Sequence, residues 1–339
     1  MQPNHSLRQS PAMTTVLMPV EHPVSPSFSM AGFLNVDGAG DQSAYFAFLD
    51  SVAAAFREVT EYGVDLLRLG AGDSVLDVGC GHGSCAPLLA RRVGPSGRVV
   101  ALDSSRAMVA EARRRFARSG LSVEFHVGNA LSLPFADASF DAARADRVFM
   151  FLDDSERALS ELIRVTMPGG RIVVTEGDLG SHSIDASDVA TTRALLAALC
   201  DRSPNGWIGR RLRALVAHAG LGDIELKLVP LLTTSFTEWS QRLGIERLVS
   251  NAIADGSVDS RRAMAWIDEL RARDADGLFS GTAMLYMVAG TRPGERAAKR
   301  APKTLHCDKP TPDSRISAGS RCEPVTPEDD RRQGDAPCR

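Results

Sequence analysis

Along the chain, short β-branched runs alternate with stretches whose apolar residues recur every three or four positions. Ser74–Val78, Arg98–Asp103 and Ser122–Val127 have the length and composition of strands. Asp141–Ala145 is a weaker fourth, and Arg171–Thr175 a fifth, introduced by the turn Pro168-Gly169-Gly170. Two more are expected near Ile224–Val229 and Ala283–Ala289. Between them, Met108, Val109, Ala112 and Phe116 line one face of a helix that stops at Gly120. Leu159, Leu162, Ile163 and Thr166, and then Leu212, Leu215, Val216 and Ala219, repeat that helical spacing. Strands and helices in alternation predict a doubly wound α/β fold, a mostly parallel seven-stranded sheet with helices on both faces.

A helical stretch at about 236–275 separates the last two strands and reads as a lid insert, with residues 41–62 as further helical cover. Residues 1–40, rich in Pro, Ser and Met at the start and in Gly at the end, are expected to be disordered. So is the tail 294–339, which has too few large apolar residues to offset its ordering entropy. This leaves 41–293 as the folded domain.

Composition narrows the function. A formal net charge of -3 over 339 residues gives no whole-molecule attraction for nucleic acid or an anionic membrane. No apolar run reaches the roughly eighteen residues a spanning helix needs, and no signal-peptide pattern opens the chain. Cys80, Cys85, Cys200, Cys307, Cys322 and Cys338 form no CxxC pair and no zinc-ligand spacing. Reduced thiols, a cytoplasmic location and no bound metal are the expectations.

The most informative segment is Val75-Leu76-Asp77-Val78-Gly79-Cys80-Gly81-His82-Gly83, a strand running into three alternate glycines, followed by a helix over Ser84–Arg91. Glycines there permit positive φ and let a ligand approach the backbone. The helix start offers N–H groups and a positive dipole end to an anionic group such as a carboxylate. Asp103 ends the next strand, where an acid can accept hydrogen bonds from both hydroxyls of a ribose.

This stretch resembles motif I of the class I S-adenosylmethionine-dependent methyltransferases. Gly128-Asn129-Ala130-Leu131, Leu133-Pro134-Phe135 before Ser139-Phe140-Asp141, and Arg164-Val165-Thr166-Met167-Pro168-Gly169-Gly170 are also similar to segments of that family. The quinone and natural-product methyltransferases are the nearest subgroup. The resemblance implies a Rossmann-like methyltransferase fold and S-adenosyl-L-methionine as cofactor. It also implies Asp77, Gly79, Cys80, Gly81 and Gly83 at the methionine end, Asp103 and Ser104 at the ribose, and Asn129, Ala130 and Leu131 at the adenine. Asn129 stands where the family usually has Asp; its amide both donates and accepts.

Other readings stay open at this level. A dinucleotide fingerprint needs glycine at position 84, where this chain has Ser84. Methylation of nucleic acid lacks its usual Pro-Pro-aromatic motif, since Ala145-Asp146-Arg147-Val148 follows the fourth strand. A cofactor-binding protein without transferase activity is a further alternative to an enzyme acting on a quinone, phenol or natural-product intermediate.

Asp146 with Arg147 either faces the ligands or forms a surface ion pair. Glu176, Asp178 and His182, after the fifth strand, are candidate bases set against ordinary loop roles. Trp207, Arg210, Trp239 and Trp266 are candidate pocket residues set against helix packing. His82 is expected to turn its side chain to solvent, and Cys80 and Cys85 to serve as packing residues.

Overall fold

The computed structural model describes residues 16–17 and 30–294. The expectations for 1–15, 18–29 and 295–339 lie outside the described residues. In chain order the elements begin with the two-residue strand β1 (Val16–Leu17), a 3-10 segment (Met30–Gly38), α1 (Ser43–Ala55) and α2 (Arg57–Leu66). Next come β2 (Ser74–Val78), α3 (Ala86–Val93), β3 (Arg98–Asp103), α4 (Arg106–Phe116), β4 (Val123–Val127), β5 (Phe140–Asp146) and α5 (Ser155–Val165). The rest are β6 (Thr166–Ile184), α6 (Val189–Asp201), α7 (Ile208–His218), β7 (Gly222–Thr233), α8 (Phe236–Leu243), α9 (Ile245–Ala254), α10 (Ser260–Ala275) and β8 (Gly281–Thr291).

The strand order is β1-β7-β8-β6-β5-β2-β3-β4. β2 to β8 are the seven expected strands, parallel except for β8, which runs antiparallel between β6 and β7. β1 adds a short parallel pairing at the β7 edge. The order reverses at β2, whose neighbours are β3 and β5, so a crevice opens beyond the carboxyl ends of these strands.

Alternation along each strand sends side chains to opposite faces. Val75, Val99, Ala142 and Val173 pack with α1 to α4, whereas Leu76, Val100, Ala143 and Ile172 pack with α5 to α7. β6 is longer than expected at both ends: the Pro168-Gly169-Gly170 turn is a bulge inside it, its pairing with β5 jumping from Thr166 to Arg171, and beyond Thr175 it continues to Ile184 by pairing with β8.

Two boundaries differ from expectation. Residues 30–38, read as disordered, form the 3-10 segment, with Val36 buried in the α1–α4 core. The stretch 236–275 folds as α8, α9 and α10, whose Trp239, Ile245, Trp266 and Leu270 belong to the same core as the sheet. Among the described residues no helix is long and apolar enough to cross a membrane.

Candidate active site

At the carboxyl ends of β2, β3, β5 and β6 lies a cavity of about 620 Å³. Asp77, Gly79, Cys80, Gly81, Asp103, Ser104, Asn129 and Ala130 all line it, as do Asp146, Asp178 and His182. Gly83 and Leu131 do not.

The backbone of the loop after β2 is largely committed to the protein. The N–H groups of Gly79 and Cys80 both donate to the Leu102 carbonyl on β3, at 2.7 and 3.0 Å. The Gly81 N–H donates to Asp103 Oδ2 at 2.8 Å. Gly79 must be glycine twice over, since its φ is +71° and a Cβ would stand 2.2 Å from Val148 Cγ2. Gly83, at φ +85°, faces Phe116 and Phe125 rather than the cavity, so it lets α3 close on α4 and β4. The start of α3 offers fewer donors than expected. Pro87 has no N–H, and the amides of Ala86 and Leu88 bond to the Gly83 and Cys85 carbonyls.

Asp103 is locked from two sides, its Oδ1 accepting the Ser105 N–H at 2.9 Å. Burial raises its carboxyl pKa, against the lowering effect of the Ser105 and Gly81 amides. Asn129 spends its side-chain oxygen on the Leu131 N–H at 2.9 Å, an Asx turn that shapes the wall. Leu131 thereby serves the turn from outside the cavity.

Below the loop runs a chain of alternating charges. Arg144, on β5 and 3% exposed, lies 3.4 Å from Asp77 Oδ1 and 2.7 Å from Asp146 Oδ2. Asp146 in turn accepts from Arg147 Nε at 3.0 Å. Burial pushes Asp77 up to about 6, with Arg144 opposing it. Burial also acts to raise Asp146, but Arg147 and Arg144 outweigh it and hold this carboxyl below its usual value. This is no surface ion pair.

None of the candidate bases is a free base. Asp178 is held by Arg210 through Nε at 2.5 Å and Nη2 at 2.9 Å. Glu176 does not line the cavity. Its Oε1 accepts the Val148 and Phe149 N–H groups, fixing the 148–149 turn to β6. His182 Nδ1 accepts from the Trp239 indole N–H at 3.4 Å, which assigns the proton of the neutral ring to Nε2. Burial pushes its pKa down to about 4. In that form Nε2–H is a donor, on a residue that lines the cavity.

Of the other candidates, Trp239 lines the cavity, Trp207 stacks beneath Arg210, and Trp266 is buried against Thr192. His82 does not face solvent. It is 1% exposed, with Nε2 near the Phe46 carbonyl and Asp50, tying α1 to the glycine loop. Burial raises the Cys80 thiol well above its usual range and the Cys85 thiol to about 12, which suits packing rather than nucleophilic roles.

Several lining residues were missed from sequence. Phe33, Leu34 and Val36 come from the 3-10 segment, and Phe48, Val52 and Phe56 from α1 and its end. Asp37 binds the start of α4, accepting from Ser105 Oγ at 2.6 Å and from the Arg106 and Ala107 N–H groups at 3.0 Å. The available signal was the pair of apolar residues Phe33 and Val36 followed by an acid. Arg144 had a clearer one, a charge inside the otherwise apolar run Ala142–Ala145.

A family profile described as a methyltransferase domain matches residues 75–170. An uncharacterised 37.1 kDa protein in transposon TN4556 of Streptomyces fradiae is 37% identical over 245 residues, which are 71% of this chain and 70% of that protein. The O-methyltransferase resE of Aspergillus sclerotiorum is 30% identical over 196 residues, 58% of this chain and 71% of the relative. The ubiquinone/menaquinone biosynthesis C-methyltransferase UbiE of Hahella chejuensis is 33% identical over 180 residues, 48% of this chain and 72% of the relative. A strand-to-glycine bend with an acid locked on the adjacent strand, and relatives of this kind over most of their length, lead to one assignment: the chain belongs to the class I S-adenosylmethionine-dependent methyltransferases.

Proposed function

We propose that this protein methylates a small, largely apolar acceptor bound in the same cavity as the cofactor. In this reading Asp77 and the loop Gly79–Gly81 hold the methionine end, Asp103 and Ser104 the ribose, and Asn129 with Ala130 the adenine. The carrying observation is the continuity of the cavity. Its polar wall at β2 and β3 passes without a break into an apolar one made by Phe33, Phe48, Val52, Phe56, Leu179 and Trp239.

The residues fit the cofactor. Asp103 is an acceptor-only carboxylate, fixed in orientation and open to the cavity, which suits a vicinal diol. Asp77, a carboxylate at the foot of the loop and on the cavity, is the acceptor that suits an ammonium, whereas the loop's N–H groups at 79, 80 and 81 are already bonded within the protein. S-Adenosylmethionine supplies a methyl group already activated as a sulfonium, so the protein's main contribution is alignment, which is worth roughly 7–11 kcal/mol in well-oriented reactions. The aromatic and aliphatic wall offers an apolar surface to the acceptor. His182 brings a neutral imidazole to this wall, and Asp146 and Asp178 are occupied by arginines. This balance favours an acceptor that carries an oxygen. UbiE acts in quinone biosynthesis and resE is an O-methyltransferase, which supports a small-molecule acceptor of this kind. The buried, unpaired cysteines 80, 85 and 200 fit a reducing, cytoplasmic setting.

The test is release of S-adenosylhomocysteine when purified protein and S-adenosylmethionine meet a fractionated small-molecule extract. One fraction should give release above the extract-free control and a product heavier by one methylene. No release from any fraction contradicts the reading.

A further inference from the structure

Among the described residues β1 pairs with β7 only at Leu231 and Leu232, which leaves the edge of β7 from Gly222 to Pro230 without a strand beside it. An open edge presents a row of N–H and C=O groups, a template for another strand. Pro230 has no N–H, which places its ladder side outward, and by the period of two the backbone groups of Leu228 and Leu226 face outward with it. The side chains of Leu226 and Leu228 are 43% and 41% exposed. Ile224 continues their row, half-buried against the core on the α7 side. On the opposite face Glu225 is held by Arg68 and Arg171, and Lys227 lies over the ring of Tyr62 on α2 at 5.6 Å.

This edge is complementary to itself. A twofold axis through Leu226 brings two copies of β7 together antiparallel. Leu226 then stands opposite its own copy, Ile224 opposite Leu228, and Glu225 opposite Lys227, the last two pairs each occurring twice. Directly opposed side chains are neighbours, so apolar meets apolar on one face and acid meets base on the other. An axis moved to Glu225 sets Glu225 against itself, and one moved to Lys227 sets Lys227 against itself. Charge selects a single register. The match is also bounded. A bulge between Gly222 and Glu225, with Asp223 at φ +47°, closes one end, and Pro230 withholds a donor at the other. In this register Gly222 of one copy lies opposite Pro230 of the other, so the partner's strand stops short of β1 at Leu231.

We propose that two copies of this chain join edge to edge through β7, about a twofold axis at Leu226, so that one sheet runs across the dimer. A second copy is the partner because the complementarity is reciprocal and the pairing closes on itself, leaving no β7 edge for a third chain. The contact bears on the active site. β7 runs on into Leu231 and Thr233, which line the cavity, so the partner steadies the strand that forms this wall. The inference goes beyond the functional reading and stands without it.

The experiment is sedimentation velocity on the full chain over a series of micromolar concentrations. Wild-type protein should sediment as a dimer that dissociates on dilution. Leu226→Lys sets two cations face to face on the axis, and Lys227→Glu opposes Glu225 twice; each should weaken the dimer by about 10-fold or more. Leu278→Lys, at a residue 66% exposed and outside β7, should leave it unchanged. A circular dichroism spectrum matching wild type shows that a variant is folded. The two substitutions lie on opposite faces of the strand, so either one suffices. A monomer at every concentration overturns the proposal, including the case in which hydrogen exchange finds the Leu226 and Leu228 amides protected by the chain's own N-terminal residues. A dimer that both folded variants leave intact overturns it as well.

Discussion

Asp103 meets a ligand with half of its hydrogen-bonding capacity already spent. The Gly81 and Ser105 amides hold one lone pair of each oxygen, which orients the carboxylate and leaves the remainder for ribose hydroxyls. Asp103→Ala should therefore weaken S-adenosylhomocysteine by about 10- to 100-fold, since a bond to a charged group contributes roughly 1.5–3 kcal/mol. Unchanged affinity by calorimetry would remove the assignment. Glu176 makes the opposite kind of prediction. Burial pushes it up to about 8 from an ordinary value near 4.5, against the Phe149 and Val148 amides. Below that window both folded and unfolded chains are protonated. As pH rises through it the unfolded chain loses its proton first, so stability falls until about pH 8. Glu176→Gln removes this slope, and melts from about pH 5 to about 9 should show the variant gaining on wild type. Parallel curves would contradict it. Asp77 and Asp103 were legible because their spacing from the glycines is local. His82 was misread and Arg144 passed over because their burial comes from α1 and β2, which no local pattern reports.

Among elements, the 3-10 segment had the weakest signal and touches the most function. It carries Phe33, Leu34 and Val36 but sits in a stretch, 1–40, rich in Pro, Ser, Met and Gly, whose composition points to disorder; yet Val36 reaches the core and Asp37 caps α4 together with Ser105. Asp37→Ala should cost about 1 kcal/mol of stability, as cap removal does. Because Phe33, Leu34 and Val36 line the cavity, it should also raise KM for S-adenosylmethionine. An unchanged Tm and KM would show that the segment is not held by this contact. The strands were readable where β-branched residues cluster, as in β2 and β3. β6 was read short because Pro168-Gly169-Gly170 signals a turn, and only pairing with β5 reveals it as a bulge.

At the scale of the whole molecule, the helices read as a lid are a layer of the main core. Trp266 on α10 is buried and donates its indole N–H to Thr192 Oγ1 on α6 at 2.8 Å, joining the two. Trp266→Ala should cost about 3–5 kcal/mol, as large-to-small core changes do. The loss should appear as an earlier single transition in urea, and a separate early transition would instead show a detachable lid. The double-wound topology followed from alternation along the chain. The helical cover at 41–62 and 236–275 does contribute α1 and α8 to the cavity wall, but the entry of the 3-10 segment beside them did not follow, because it depends on long-range packing.

The central claim is that the bend after β2 and the acid ending β3 together receive the adenosyl group. A crystal structure with S-adenosylhomocysteine tests it most directly. The account predicts the ribose hydroxyls on Asp103, the adenine beside Asn129 and Ala130, and the methionine end at Asp77. Ligand bound elsewhere, or a ribose turned away from Asp103, would contradict it.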